Sequence, residues 1–272
     1  MRNTLFSPVL KRNAKALLFG NLGTVFGAFL MFAICSLPVK LLIDYIPAGS
    51  IVGIVLIYLS SVLAELWTVI LVAGFDLIAL KLSCHQEVGV ADVFYGLRSG
   101  LWKKACLLYL PAVSIFNIVF LILRFIGTKY TLMADEFING MDMNSLLQMY
   151  AGGQIEELNA MLLPLIPVEM AFLGVGLLTL VLGVAFRVMM FPSLFLLLDY
   201  PEKSVGEIYR LNFRLLKGHF GRVLYIFLSF IPWYLLSLVT CYISFAYSYP
   251  YMQTTFAGAY LELCRFAEGN KK

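Results

Sequence analysis

Apolar blocks about as long as a bilayer is thick recur along this chain, and that pattern constrains its fold more than any motif does. Ile51–Leu80 is the clearest block, broken only by Glu65 and Asp76. A helix needs about twenty apolar residues to cross a hydrocarbon core of roughly 30 Å. Hydrophobic residues make up 61% of the 272 positions and charged residues 13%, about half of what a soluble domain carries. The expected fold is therefore all-α: a polytopic membrane protein forming one membrane domain over residues 1–272.

Six crossings are predicted, at Leu18–Ile43, Ile51–Leu80, Ala105–Ile126, Met161–Phe186, His219–Val239 and Ile243–Cys264. The fourth block stays apolar to Leu198, too long for one straight crossing. Pro192 is predicted to kink it and leave Met189–Leu198 at the inner interface. The turn before the last crossing is placed at Thr240–Ser244. A turn near Tyr247–Pro250 would leave about fifteen residues for that crossing, too few to span. The long outer loop, Gly127–Ala160, carries Asp135, Glu136, Asp142, Glu156 and Glu157. Its Met141, Leu146, Leu147 and Met149 suit a short interfacial helix, and a flexible acidic loop suits the pattern equally well.

Lys and Arg set the orientation. Arg2, Lys11, Arg12, Lys15, Lys81, Arg98, Lys103, Lys104, Lys203, Arg210, Arg214, Lys217, Arg222, Arg265, Lys271 and Lys272 fall on one side, and only Lys40, Arg124 and Lys129 fall on the other. Basic loops stay cytoplasmic, so both termini are expected there. The net charge of +4 comes from these flanks and is not a nucleic-acid signal. The basic, then apolar, start lacks a small-residue cleavage site and reads as a retained first crossing. Five cysteines with no CxxC spacing read as free buried thiols.

A basic amphipathic unit precedes the odd-numbered crossings. Lys15–Val25 matches Phe213–Val223 at both leucines, both glycines and the valine, and Asp92–Lys104 is a weaker copy. The clearest copy is Ser204–Lys217. Ser204 and Glu207 form a capping box, and Val205, Ile208, Leu211 and Leu215 share a face. Arg210, Arg214 and Lys217 share another, and Gly218 is a natural stop. Such helices are expected in the plane of the cytoplasmic leaflet, their basic groups toward anionic head groups.

Catalytic motifs are missing: no HExxH, P-loop, GxSxG or CxxC occurs. His85 and His219 sit at crossing ends and read as packing groups. The expectation is a non-enzyme with no cofactor and no metal site. The intramembrane charges are Glu65, Asp76, Glu169 and Arg187. Glu65 and Asp76 share a helix face with Tyr58, and Glu169 and Arg187 share one with Gly176 and Gly183. A buried charge is costly, so these read as structural ion pairs that fix helix register, or as a polar path between crossings two and four. The first reading is favoured, and Asp76 and Arg187, matched in depth, are the predicted pair.

Several segments resemble a bacterial membrane family known as domain of unknown function 975. They are Gly218-His-Phe-Gly, Leu228-Ser-Phe-Ile-Pro-Trp233, Tyr249-Pro-Tyr-Met-Gln-Thr-Thr-Phe-Ala257 with Tyr260, Met190-Phe-Pro-Ser through Asp199, and Asp92-Val-Phe-Tyr-Gly-Leu97. Pro232 stands where that family usually has glycine, and Thr240-Cys-Tyr-Ile-Ser244 replaces a T-L-G-I-G turn. The resemblance implies a multi-pass protein of the bacterial plasma membrane and carries over no activity. The functional expectation is a membrane scaffold or accessory protein whose partners are the bilayer and anionic head groups, with another membrane protein as a further candidate. The alternative is a transporter or channel for a small polar or lipid-like substrate.

Overall fold

The computed structural model describes residues 7–43, 45–46, 50–98, 100–139, 150–152, 156, 163 and 166–269. Its helices are α1 (Ser7–Gly20), α2 (Leu22–Ile43), α3 (Ile51–Ser83), α4 (Tyr95–Arg98), α5 (Trp102–Asn139), α6 (Ile166–Asp199), α7 (Val205–Leu216), α8 (Phe220–Leu228), α9 (Ile231–Val239) and α10 (Phe245–Gly269). A 3-10 turn over Val90–Phe94 precedes α4. The chain divides into two compact units, Met1–Val113 with Ala185–Lys272, and Ser114–Val184.

Five stretches among the described residues are long and apolar enough to cross a membrane: Leu22–Val39, Ile51–Ser83, Trp102–Thr128, Glu169–Asp199 and Phe220–Val239. The sixth expected crossing, Ile243–Cys264, falls on α10, which is not one of these five. Helix α10 is the core of the first unit, buried at every position from Ser248 to Ala257. It packs on α1, α2, α3, α7 and α9. Its polar residues are satisfied within the helix: Thr254 Oγ1 donates to Pro250 O at 2.9 Å and Thr255 Oγ1 to Tyr251 O at 2.8 Å. A hydroxyl bonded to its own helix can be buried without a partner element.

Several prolines fall in or at the start of helices among the described residues, and at four of them a side chain from elsewhere clamps the turn. Proline removes the N–H that would bond the carbonyl four residues back and pushes that turn open. In each case the carbonyl three residues back accepts a side-chain donor from elsewhere. For Pro38 it is Cys35 O, which takes Trp67 Nε1 at 2.9 Å. For Pro111 it is Leu108 O, which takes the Tyr209 hydroxyl. For Pro192 it is Met189 O, which takes Asn212 Nδ2 at 2.7 Å. For Pro232 it is Ser229 O, which takes Lys11 Nζ at 2.8 Å. Backbone groups freed within a membrane helix need such neighbours. Helix α7 thereby holds α5 and α6, and α1 holds the break between α8 and α9.

Two expectations change here. The fifth crossing is two helices, because Pro232 sits in the first turn of α9 and α8 ends at Leu228. Helix α6 runs through Pro192, and Met190–Leu197 is core, not interface. Helix α5 continues past Gly127 to Asn139 and takes in Asp135 and Glu136, the first acidic residues of the expected outer loop. Met141, Asp142, Leu146, Leu147, Met149, Glu157 and Ala160 lie outside the described residues, and Glu156 is exposed. The turn at Thr240–Ser244 is where the sequence placed it. Cys241 and Tyr242 there take positive φ of 47° and 65°, and Ser244 N donates to Thr240 Oγ1 at 3.2 Å.

The short segment after α3 is seated by glycine. A Cβ on Gly74 would lie 1.9 Å from Val93 O, and one on Gly96 3.0 Å from Ile70 O. The backbones meet directly, Val93 is fully buried, and Lys81 Nζ pairs with Asp92 Oδ2 at 2.9 Å. In the second unit, Gly183 faces the Phe116 ring at 3.7 Å and Gly127 faces Phe172 at 3.6 Å. Gly176, expected to admit a close helix, has nothing within 4 Å.

Candidate functional site

Asp76 lies in the lower half of α3 among Ala73, Phe75, Ile78 and Ala79, all buried, and is itself only 4% exposed. Its Oδ1 has no hydrogen-bond partner. Arg187 on α6 acts on it electrostatically. No ion pair within 4.0 Å joins them among the described residues, so the expected pair is not closed. Arg187 is also within electrostatic reach of Tyr109, Tyr234 and Tyr249, and its side chain is exposed.

The tyrosines have defined places. The Tyr249 ring sits among Phe32 at 5.3 Å, Phe75 at 5.1 Å, Phe245 at 5.4 Å and Phe29 at 5.9 Å. Its hydroxyl accepts Gln253 Nε2 at 3.3 Å. Tyr109 O–H donates to Met190 O at 3.3 Å and lies 3.2 Å from Ser193 Oγ. The arrangement combines a buried carboxyl, a five-donor guanidinium and phenols that can give or take a proton bond. Among the described residues no group of three His, Cys, Asp or Glu is placed to hold a metal ion.

Of the other predicted charges, Glu65 is half-buried on α3 and has an interaction of its own, whereas Glu169 is exposed in the second unit. Neither joins the bonds described here. The sequence missed Tyr109, Tyr234, Tyr249 and Gln253. Tyr249 and Gln253 fall in the stretch that carries the resemblance, which was a signal. Nothing in the spacing points to Tyr109.

Helix α7 starts at the capping box expected from the sequence. Ser204 Oγ accepts from Glu207 N at 3.3 Å, and Glu207 Oε2 accepts from Ser204 N at 2.8 Å. These bonds hold the Glu207 carboxyl below its usual range. Ile208, Asn212 and Leu216 are buried, Arg210, Arg214 and Lys217 are exposed, and Gly218 at φ 83° ends the helix. Not every basic flank group is free, however. Lys11, Lys81 and Lys104 are staples, the last donating to Pro201 O at 2.5 Å and Lys203 O at 2.9 Å. Burial lowers the proton affinity of the Lys11 amine.

The segments that carry the family resemblance converge in the first unit. Tyr260 O–H donates to Asp199 Oδ2 at 2.5 Å, and its ring stacks on Phe195 at 5.2 Å. The His219 ring stacks on Phe266 at 5.3 Å with Nδ1 buried and unpartnered. No curated protein and no solved structure matches the chain. The family model described as "Protein of unknown function (DUF975)" matches residues 7–266. The chain therefore belongs to the DUF975 family of proteins of unknown function.

Proposed function

We propose that this is a non-enzymatic protein of the bacterial plasma membrane, serving as a scaffold or accessory to another membrane component. One observation carries the reading: the polar side chains in the core of the first unit are mostly spent on joining helices. Trp67, Tyr209, Asn212 and Lys11 close proline-loosened turns, Tyr260 ties α10 to Asp199, and the threonines of α10 bond their own helix. A water-filled path would need such groups free. The exposed Arg210, Arg214 and Lys217 then meet anionic head groups, with both termini cytoplasmic.

A second reading, transport of a small polar solute, is favoured by the buried Asp76 carboxyl, whose Oδ1 has no hydrogen-bond partner among the described residues. The experiment that separates them uses purified protein in vesicles containing a pH-sensitive dye. The accessory reading expects proton leak equal to that of protein-free vesicles. Leak that rises with protein content and is lost in Asp76→Asn would overturn it in favour of transport.

A further inference from the structure

We infer that α8, α9 and α10 form a re-entrant hairpin, whose apolar turn inserts among the acyl chains of the cytoplasmic leaflet and returns without crossing. Six straight crossings would put the start of α2 and the Thr240–Ser244 turn on opposite faces of the membrane, about 30 Å apart. The structure puts them side by side. Leu18, Leu22 and Val25 line one cavity of about 240 Å³ with Ile243, Ala246 and Pro250. The Phe245 ring lies 6.1 Å from Phe29, and the Tyr249 ring 5.3 Å from Phe32.

The base of the hairpin meets the start of α1 and the end of α6. A Cβ on Gly258 would lie 3.4 Å from Leu10 Cδ2, Lys11 Nζ sits 4.3 Å over the Phe230 ring, and Tyr260 donates to Asp199. Leu10 beside Gly258 and Leu18 beside Pro250 make α1 and α10 antiparallel neighbours. Helix α1 has 14 residues and carries Lys11, Arg12 and Lys15. It is roughly 21 Å long, too short and too basic to cross. The hairpin turn therefore lies at the end of α1, where the first crossing begins. Phe220–Val239 is long and apolar enough to cross, but its partners hold it back. Four crossings remain, α2, α3, α5 and α6, and an even number returns the C-terminus to the side of the N-terminus.

The turn is an interaction surface. Val239, Tyr242 and Ile243 are 82%, 66% and 78% exposed, and Leu235 and Leu238 beside them are exposed too. Such a patch marks contact with a protein or a membrane. Continuity selects lipid: Leu22 and Phe26, exposed at the start of the first crossing, line the same cavity as Ile243. Arg210, Arg214 and Lys217 are exposed on α7, just before the hairpin, where they suit anionic head groups. An apolar tip with basic residues behind it is how interfacial anchors are built. A scaffold and a transporter could both carry this anchor, so the inference stands or falls apart from the vesicle-leak test.

The test uses the full chain with its five native cysteines replaced. Single cysteines meet a membrane-impermeant thiol reagent in intact cells and in inside-out vesicles. Tyr45→Cys, between α2 and α3, is the outer reference, and Arg210→Cys is the cytoplasmic one. Tyr242→Cys should not label from outside above background. A background that keeps native Cys241 as its one cysteine repeats this with no change in the turn. Nitroxides on Leu22→Cys and Tyr242→Cys should lie well within the roughly 30 Å of a hydrocarbon core. A nitroxide on Ile243→Cys should meet lipid-soluble oxygen and be shielded from a water-soluble relaxant. Outside labelling at 242 or 241 as fast as at 45, a separation at or above the core thickness, or a nitroxide at 243 as wet as one at 210 would overturn the inference.

Discussion

Gly74→Ala is the sharpest test of how the segment after α3 is seated. The new methyl would fall 1.9 Å from Val93 O, 2.4 Å from Val93 C and 2.8 Å from Asp92 O. Real Cβ contacts essentially never come under 3.0 Å, and these neighbours are backbone, so the Val90–Phe94 turn must retreat by at least about 1 Å. Retreat loosens the fully buried Val93, whose burial contributes about 1.5–3 kcal/mol. It also strains the half-exposed Lys81–Asp92 pair, which adds at most about 1 kcal/mol. Overpacking costs of about 1–3 kcal/mol overlap with these terms, so a loss of roughly 2–4 kcal/mol is expected. Melting followed by size-exclusion chromatography in detergent should show Tm lower by about 10 °C. Gly206→Ala is the matched control, with nothing within 4 Å of its added Cβ. If both variants melt within about 2 °C of wild type, the direct backbone contact is wrong.

Three further outcomes follow from other parts of the fold. Asn212→Ala should cost about 1–3 kcal/mol, because Met189 O loses its side-chain donor; chemical denaturation reads this, and a loss below about 0.5 kcal/mol would refute the clamp. Tyr242→Gly should raise Tm, since Tyr242 holds φ 65° while largely exposed and relief of a left-handed residue is worth about 1 kcal/mol; a lower Tm would mean that its ring packs against something that matters. Spin labels at Leu211 and Leu215 should sense protein or lipid, while labels at Arg210 and Arg214 should sense water, and uniform water exposure would contradict the amphipathic placement of α7.

Much of this architecture could be read from local chemistry. The capping box and Gly218 fix α7 within a residue or so, because helix ends are decided by nearby backbone donors. The Thr240–Ser244 turn followed from counting apolar length. Asp76 and Arg187 stood out because a charge in an apolar block is conspicuous and opposite charges attract. What the sequence could not reveal is tertiary. Pro192 reads as a kink until Asn212 is found on the carbonyl it exposes. Lys11 and Lys104 read as leaflet-facing charges because a lysine staple looks the same as a lysine flank. Helix α10 is surrounded by protein, a setting that its buried Gln253, Thr254 and Thr255 suit and that apolar length alone does not reveal. Tyr109 and Tyr234 have no local signature.

Water access to the core tests the accessory account most directly. Ser193 is fully buried beside Tyr109, between the helices a solute would have to part. A Ser193→Cys variant, built in a background with the five native cysteines replaced, can be challenged in sealed vesicles with a membrane-impermeant thiol reagent from either side. Arg210→Cys in the same background provides an exposed reference. The account predicts rapid labelling at position 210 and none above background at position 193 from either face. Labelling at 193 as fast as at 210 would reveal a water path through the first unit and contradict it.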